Sequence, residues 1–346
     1  MPSSVVGGAL SYSSYTHQSV AKLNLSLRLL RPRNDGYTEL HSVVARLSIG
    51  DTLTLTPLPA VPIEATSSSQ ANGELHFSTN AVGLTDSPEQ NLAVKAYRLF
   101  ASTQPKPLPP VALHLEKALP VQAGLGGGSS NAASTLLLLN HWVQQVLVGE
   151  GYLPLSTHQL HQLAAQLGSD VNLFIEDRSP LMLMSGRGER VEPLPLSVAE
   201  QVLAPWQIVI VKHHAVAVST IEAYQWIHQS KAYSADAGEQ QQLALFDALH
   251  QHAPLHDHLA LLINDFAPVV YKALPELGNM DTRLRQLGAS HTLLCGSGAC
   301  VAGVFTAEAY QRFQANKAVA KHFPQETHTL YPARFLTEAM LPIETL

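Results

Sequence analysis

The chain has 346 residues, enough for two domains with their own cores, and its 46% hydrophobic and 14% charged content is that of a compact globular protein. A formal charge of -6, with no Lys/Arg-rich block interleaved with aromatics, excludes a general nucleic-acid binder and points to small-molecule partners. No apolar run approaches the ~20 residues of a membrane helix, Val5 to Leu10 lacks the basic flank of a signal peptide, and two cysteines, Cys295 and Cys300, suit free thiols in a reducing compartment. The expectation is a cytoplasmic protein, monomer or homodimer, with no membrane partner.

Residues 1 to 19 are rich in Ser, Gly, Tyr and Thr, hold no Asp, Glu, Lys or Arg, and read as a flexible extension. Every odd position from Leu23 to Leu29 is leucine, so Lys22, Asn24, Ser26 and Arg28 share the opposite face of a strand. A solvated polar face is the ordinary meaning of such an alternation. Asp35-Gly36 is a hairpin signal with Tyr37 just beyond it, and Thr52 to Thr56 alternates as a further strand. Pro57 to Ser87 is polar, with a short strand near Leu75 to Phe77, and Asn91 to Ser102 has helical spacing.

The most informative stretch runs from Leu119 through Gly-Leu-Gly-Gly-Gly-Ser-Ser-Asn131 into an Ala/Leu-rich run reaching about Leu147. Before it, Val111, Leu113 and Leu115 alternate with polar or small residues, so the order is strand, glycine turn, helix. Gly124, Gly126, Gly127 and Gly128 let a ligand approach the main chain, Ser129 or Ser130 can cap the helix, and free amides at a helix start attract anions. No lysine stands where a Walker A loop has one, and Ser129 stands where the dinucleotide fingerprint needs its third glycine. The positive charge must come from elsewhere.

A second helix begins at Ser156 or Thr157 and stops at Gly168; Asp170, just after it, reads equally as the cap of a following short helix. Leu181 to Met184 and Arg190 to Pro193 look extended, and Pro193, Pro195 and Pro205 mark a boundary. Beyond it come a strand at Trp206 to Lys212, a helix from Ser219 or Thr220, a polar insert at Ser230 to Gln242 and helices ending near Leu287. Two apolar strands flank Gly296-Ser-Gly298, a helix spans Ala307 to Lys321, and a strand lies near Thr327 to Leu330. His250, His252, His256 and His258 lie close in sequence, yet no ligand spacing completes a zinc site, and they read as a solvated His/Gln-rich segment.

Three stretches in this order, Ala21-Lys-Leu-Asn-Leu25, Pro120 to Ala133 and Cys295-Gly-Ser-Gly-Ala-Cys300, resemble the GHMP kinases, and the likeness covers nearly all of residues 21 to 335. The triple-glycine form of the loop is similar to that of the branch in the non-mevalonate isoprenoid pathway, whose substrate carries a cytidine diphosphate group. The resemblance implies an α+β fold of two domains, residues 20–200 with the ATP loop and residues 201–346 ferredoxin-like, with the active site between them. It implies ATP-dependent phosphorylation of a 2-hydroxyl, with magnesium accompanying ATP. By motif position Asp170 falls on the catalytic base and Lys22 on the catalytic lysine. Pro120, Ala123, Gly124, Leu125, Gly126, Gly127, Gly128, Ser129 and Ser130 fall on the phosphate loop, with Ser130 a protein ligand for magnesium, and Asn91 falls where the adenine pocket is built. Asn24, Tyr37, Thr220 and Tyr224 fall at or near positions that hold the acceptor alcohol and its cytosine ring. Departures lie on the substrate side: Thr38 replaces a histidine, Lys212-His-His-Ala-Val216 replaces a Pro-containing turn, and the 230–242 insert is long. A kinase of another small alcohol and a catalytically silent binding protein of the same fold are the alternatives.

Overall fold

The computed structural model describes residues 13–59, 74–81, 87–338 and 341–346. In chain order the elements are β1 (Tyr15–Pro32), β2 (Thr38–Pro57), β3 (Leu75–Thr79), α1 (Leu92–Ser102), β4 (Val111–Glu116), α2 (Gly127–Trp142), α3 (Thr157–Leu167), α4 (Asn172–Ile175), β5 (Leu181–Gly186) and β6 (Arg190–Pro193). There follow α5 (Leu196–Leu203), β7 (Trp206–His213), α6 (Thr220–Ser230), α7 (Ala235–His250), α8 (Ala267–Ala273), α9 (Pro275–Gln286), β8 (His291–Leu294), β9 (Cys300–Thr306), α10 (Ala307–Ala315), α11 (Ala318–His322), β10 (His328–Arg334) and β11 (Glu344–Thr345).

The long strand β2 organises the first sheet. It pairs with β1 along most of its length, with β4 through Thr52–Pro57 and with β5 through Leu40–Ala45, giving the order β11-β1-β2-β4-β3 with β5 and β6 as a branch. The second sheet, β10-β7-β9-β8, is antiparallel throughout, with α9 and α10 packed on β9. Leu47 bridges to Phe335, and the Leu336 amide donates to the Arg46 carbonyl at 2.9 Å, so the chain after β10 returns to β2. Helix starts are chemically specified: Asn91 caps α1, and Ser156 with Gln159 and Ser219 with Glu222 form reciprocal caps on α3 and α6.

The fold is α+β, and most expected elements are present within a few residues. The differences have local causes. Of the expected flexible extension, residues 1–12 lie outside the described residues, but Tyr15–Ser19 belong to β1, held by β2, by β11 and by α2. Of Pro57–Ser87, residues 60–73 and 82–86 lie outside the described residues. The polar insert is mostly the first half of α7, where Gln242 and Gly238 are buried against the body of the protein. The expected helix over Ala307–Lys321 is two, broken at Asn316 and Lys317. Gly126, in the left-handed region at φ 72°, sets the start of α2 at Gly127, so Ser129 and Ser130 lie inside its first turn and do not cap it.

The β1–α2 contact carries a titratable load. His17 is buried, with Nδ1 2.8 Å from the Ser134 hydroxyl of α2, and burial, against a smaller opposing pull from the Leu341 carbonyl, pushes its imidazole from 6.5 down to about 4. Between those values the unfolded chain binds more protons, so the stability from neutral His17 is complete above pH 6.5 and is lost as pH falls toward 4. Chemical denaturation from pH 7 to pH 4 should show His17→Gln losing roughly 3 kcal/mol less than the wild type over this window. Parallel pH profiles would reject the assignment.

Candidate active site

Lys22 reaches the site through a β-bulge. Ser19 donates to Asn131 of α2 at 2.6 Å, and Lys22, an odd number of residues later, lies against Gly126 at the start of the same helix. The register shift between Val20 and Lys22 reverses the alternation and puts both on one face. This face is buried rather than solvated: Lys22 is 5% exposed and Asn24 1%. A buried ammonium needs partners, and Nζ donates to Asn24 Oδ1 at 2.6 Å and lies 3.6 Å from Asp170 Oδ2. Asn24 in turn donates to Ser42 Oγ at 2.8 Å, and Ser42 to the Ser26 carbonyl at 2.6 Å, which orients the amide oxygen toward the lysine.

Asp170 stands on the turn between α3 and α4. Its side chain makes no capping bond at α4; the Lys22 ammonium is its ionic partner among the described residues. Buried Arg46 holds the next segment in place, with Nε donating to the Leu173 carbonyl at 3.1 Å and Nη2 to the carbonyls of Leu173 and Glu176. Burial pushes the Arg46 guanidinium down to about 10, opposed by Glu176 and Asp177, so it remains a cation at neutral pH and suits the carbonyl-rich end of α4.

The glycine loop is pinned from three sides. Fully buried Asp51 accepts the amides of Ala118 at 2.9 Å and Leu119 at 2.8 Å and pairs with Lys117 Nζ. The Lys22 amide donates to the Leu125 carbonyl at 2.9 Å, and Ala299 donates to the Gln122 carbonyl at 3.1 Å. Gly124 sits at φ 73° against the 295–299 turn, where a Cβ would lie 1.7 Å from the Cys295 carbonyl oxygen. With Gly126 as N-cap, no side chain among the described residues caps the first amides of α2, the kind of helix start that attracts anions. The Ser130 amide is already committed to the Gly126 carbonyl at 2.9 Å.

These elements enclose a cleft of about 440 Å³, within the size of small-molecule sites. Lys22, Asn24, Asn91, Pro120, Ala123 through Ser129, Asp170, Thr220 and Tyr224 all line it. Asn91 also caps α1 through its side-chain oxygen. Two expected residues stand apart. Ser130 is buried and lines a smaller cavity behind the loop with His17 and Arg46, while Tyr37 is 50% exposed with the Arg187 guanidinium 5.0 Å from its ring. On the opposite wall the Thr220 and Ser297 hydroxyls are 3.2 Å apart, and Tyr224 meets Phe266 edge-on at 5.0 Å. Burial, then the Asp170 charge, pushes the Tyr224 phenol up, keeping it protonated.

Sequence reasoning gave no site role to Lys117, Phe266, Gly296 or Ser297, which also line the cleft, although Gly296 and Ser297 belong to the 295–300 stretch that carries the resemblance. Lys117, three residues before Pro120, was the nearest cation to a loop that lacks one. Asn264 donates to the carbonyls of Leu294 at 2.8 Å and Gly296 at 2.7 Å and so shapes the wall from beneath.

Residues 91–175 match the GHMP kinases N terminal domain. The chain is 34% identical over 288 residues to the 4-diphosphocytidyl-2-C-methyl-D-erythritol kinase of Bacteroides thetaiotaomicron, covering 83% of this chain and 91% of that protein. The chain belongs to the 4-diphosphocytidyl-2-C-methyl-D-erythritol kinase family. Another member, from Chromobacterium violaceum, is 32% identical, with 84% of this chain and 86% of that protein covered. A crystal structure of a 4-(cytidine 5'-diphospho)-2C-methyl-D-erythritol kinase superposes with a TM-score of 0.66 at 27% identity, covering 92% of this chain and 98% of the other. A homoserine kinase structure from Cytophaga hutchinsonii reaches 0.67 at 16% identity, over 99% and 100% of the two chains, a likeness of fold alone.

In this member of the family, Gly124→Ala should destabilise the protein by more than about 2 kcal/mol, since both the backbone angle and the Cys295 carbonyl oppose a side chain. A urea midpoint unchanged from the wild type would contradict the tight packing of the loop.

Proposed function

We propose that the protein transfers the γ-phosphoryl group of ATP to the 2-hydroxyl of 4-diphosphocytidyl-2-C-methyl-D-erythritol, a step of isoprenoid synthesis outside the mevalonate route. The observation that carries this reading is the Lys22 ammonium 3.6 Å from the Asp170 carboxylate, in a cleft lined by a helix start with uncapped amides. Phosphoryl transfer asks the protein mainly for alignment and charge stabilisation. In this scheme Asp170 accepts the acceptor's hydroxyl proton, the freed oxygen attacks the γ-phosphorus, and the bond to the β-phosphate oxygen breaks to release ADP. Lys22 stabilises charge on the attacking oxygen. The amides around Gly126 to Ser129 and the nearby Lys117 take the phosphates, and Asn91 borders the adenine.

Asn24, Thr220 and Tyr224 hold the acceptor, the last with its phenol protonated as a donor and its ring beside Phe266. Magnesium supplies charge neutralisation on the ATP phosphates. It would be held mostly by the phosphates and water, because Asp170, the carboxylate among the described residues lining the cleft, is committed to Lys22 and to the acceptor's proton. Ser130, whose side chain lines the rear cavity, is a weak candidate ligand. Residues 20–200 and 201–346 serve as the two domains that bring these groups together. No helix among the described residues is long and apolar enough to cross a membrane, and we place the enzyme's work in the cytoplasm.

The exposed position of Tyr37, outside the cleft lining, favours one second reading, a kinase of another small alcohol. ATP turnover with the cytidyl substrate, against mevalonate and homoserine, separates the two; no preference for the cytidyl compound would sink the first.

Asp170→Asn should lower kcat by about 10²–10⁴-fold while the KM for ATP stays within about threefold. An active Asp170→Asn enzyme would remove the proposed base. Lys22→Ala should also reduce mainly kcat, by about 10²–10³-fold. A loss confined to ATP affinity would move Lys22 to the phosphates.

A further inference from the structure

The turn that departs from the family pattern, Lys212-His-His-Ala-Val216, brings together a donor set the kinase chemistry does not use. His213, the last residue of β7, pairs in register with His328, the first of β10, and the two rings meet edge-on with centroids 4.7 Å apart. Glu276, in the first turn of α9, faces both, and one ligand atom from each of the three residues lies within 4.8 Å of the others. His328 is 4% exposed, and its Nε2 is buried without a hydrogen-bond partner among the described residues, 3.9 Å from Glu276 Oε1.

The hydrogen bonds around His328 fix which nitrogen is open. Its Nδ1 lies 2.8 Å from the Thr327 hydroxyl, and that hydroxyl donates its own proton to the Pro324 carbonyl at 3.3 Å. Nδ1 must therefore be the donor, and Nε2 carries the lone pair. Ligating histidines are held in the same way, with the second ring N–H on an oxygen. An unsatisfied buried acceptor is unfavourable unless something fills its place.

We propose that His213, His328 and Glu276 form a binding site for a divalent transition-metal ion such as zinc, clamping β7, β10 and α9 together. Two imidazoles and a carboxylate are the donors that zinc, cobalt and nickel favour, whereas magnesium and calcium take oxygen ligands. Three protein donors leave a further position for water. Two existing contacts yield when the ion enters. The Ala215 amide, 3.1 Å from His213 Nδ1 on an exposed turn, releases the ring so that Nε2 can ligate with the proton on Nδ1. Arg283, which donates to Glu276 Oε1 at 3.0 Å, gives up its share of the carboxylate and keeps the His322 carbonyl at 3.3 Å. The turn so fixed leads directly into α6, which carries Thr220 and Tyr224 to the cleft.

The test is titration of the chelator-treated full-length protein, without nucleotide, with zinc by calorimetry and with cobalt(II) by its visible d–d absorption. Expected are micromolar or tighter zinc binding, a cobalt spectrum of low coordination number, and no competition from magnesium in large excess. His213→Ala, at a half-buried turn position that should fold normally, and Glu276→Gln should each weaken binding by about 100-fold or more, beyond the loss typical of an outer-shell partner. The double variant His256→Ala/His258→Ala, at one exposed and one half-buried position of the histidine run, should bind as the wild type does. Wild-type affinity in His213→Ala, loss of binding in the His256/His258 variant, displacement by magnesium, or no binding at micromolar zinc would each overturn the proposal.

Discussion

A buried ammonium is the constraint on which the site depends. Lys22 is almost wholly removed from water, and a charge so placed is tolerable only with close, well-aimed partners. Asn24 supplies one at 2.6 Å and Asp170 the other at 3.6 Å. The surrounding residues make room for it. A Cβ on Gly126 would lie 3.0 Å from Lys22 Cγ, and one on Gly296 3.2 Å from Nζ, so side chains on either turn would crowd the path of the lysine. The glycines of two distant loops thus serve the lysine as well as any ligand.

In the proposed scheme anion binding and chemistry fall to different parts of the chain. In a Walker A loop one segment carries both the amides and the lysine. Here the amides belong to the start of α2, while the charges come from β1, from the end of β4 and from the turn after α3. Such a division demands accurate relative placement, and the structure provides it through buried polar anchors. Asp51 holds the approach to the loop through two amides, Arg46 holds α4 through carbonyls, and Asn264 holds the 295–299 turn. Each satisfies backbone groups that would otherwise be buried without partners.

Fold by itself does not decide an acceptor; the side chains of the site do. On the cleft wall away from the glycine loop, Thr220, Tyr224, Phe266 and Ser297 gather from α6 and two loops.

Local rules were enough for much of this. The strand, glycine turn and helix around Gly124 to Asn131 and the helix starts at Ser156 and Ser219 are readable because each depends on a few neighbouring residues. So is the α+β class. The single leucine face expected of β1 is instead split by the bulge between Asn24 and Ser26, which sends Leu23 and Leu25 to one core and Leu27 and Leu29 to the other. What only the tertiary structure decided involves partners far apart in sequence. The bulge after Val20 that turns Lys22 toward α2, the burial of a face that reads as solvated, the position of Lys117 on the cleft wall, and the meeting of His213 with Glu276 and His328 all arise from long-range packing. A period-2 pattern specifies two faces of a strand; which face is covered, and where a bulge exchanges them, is set by what packs against it.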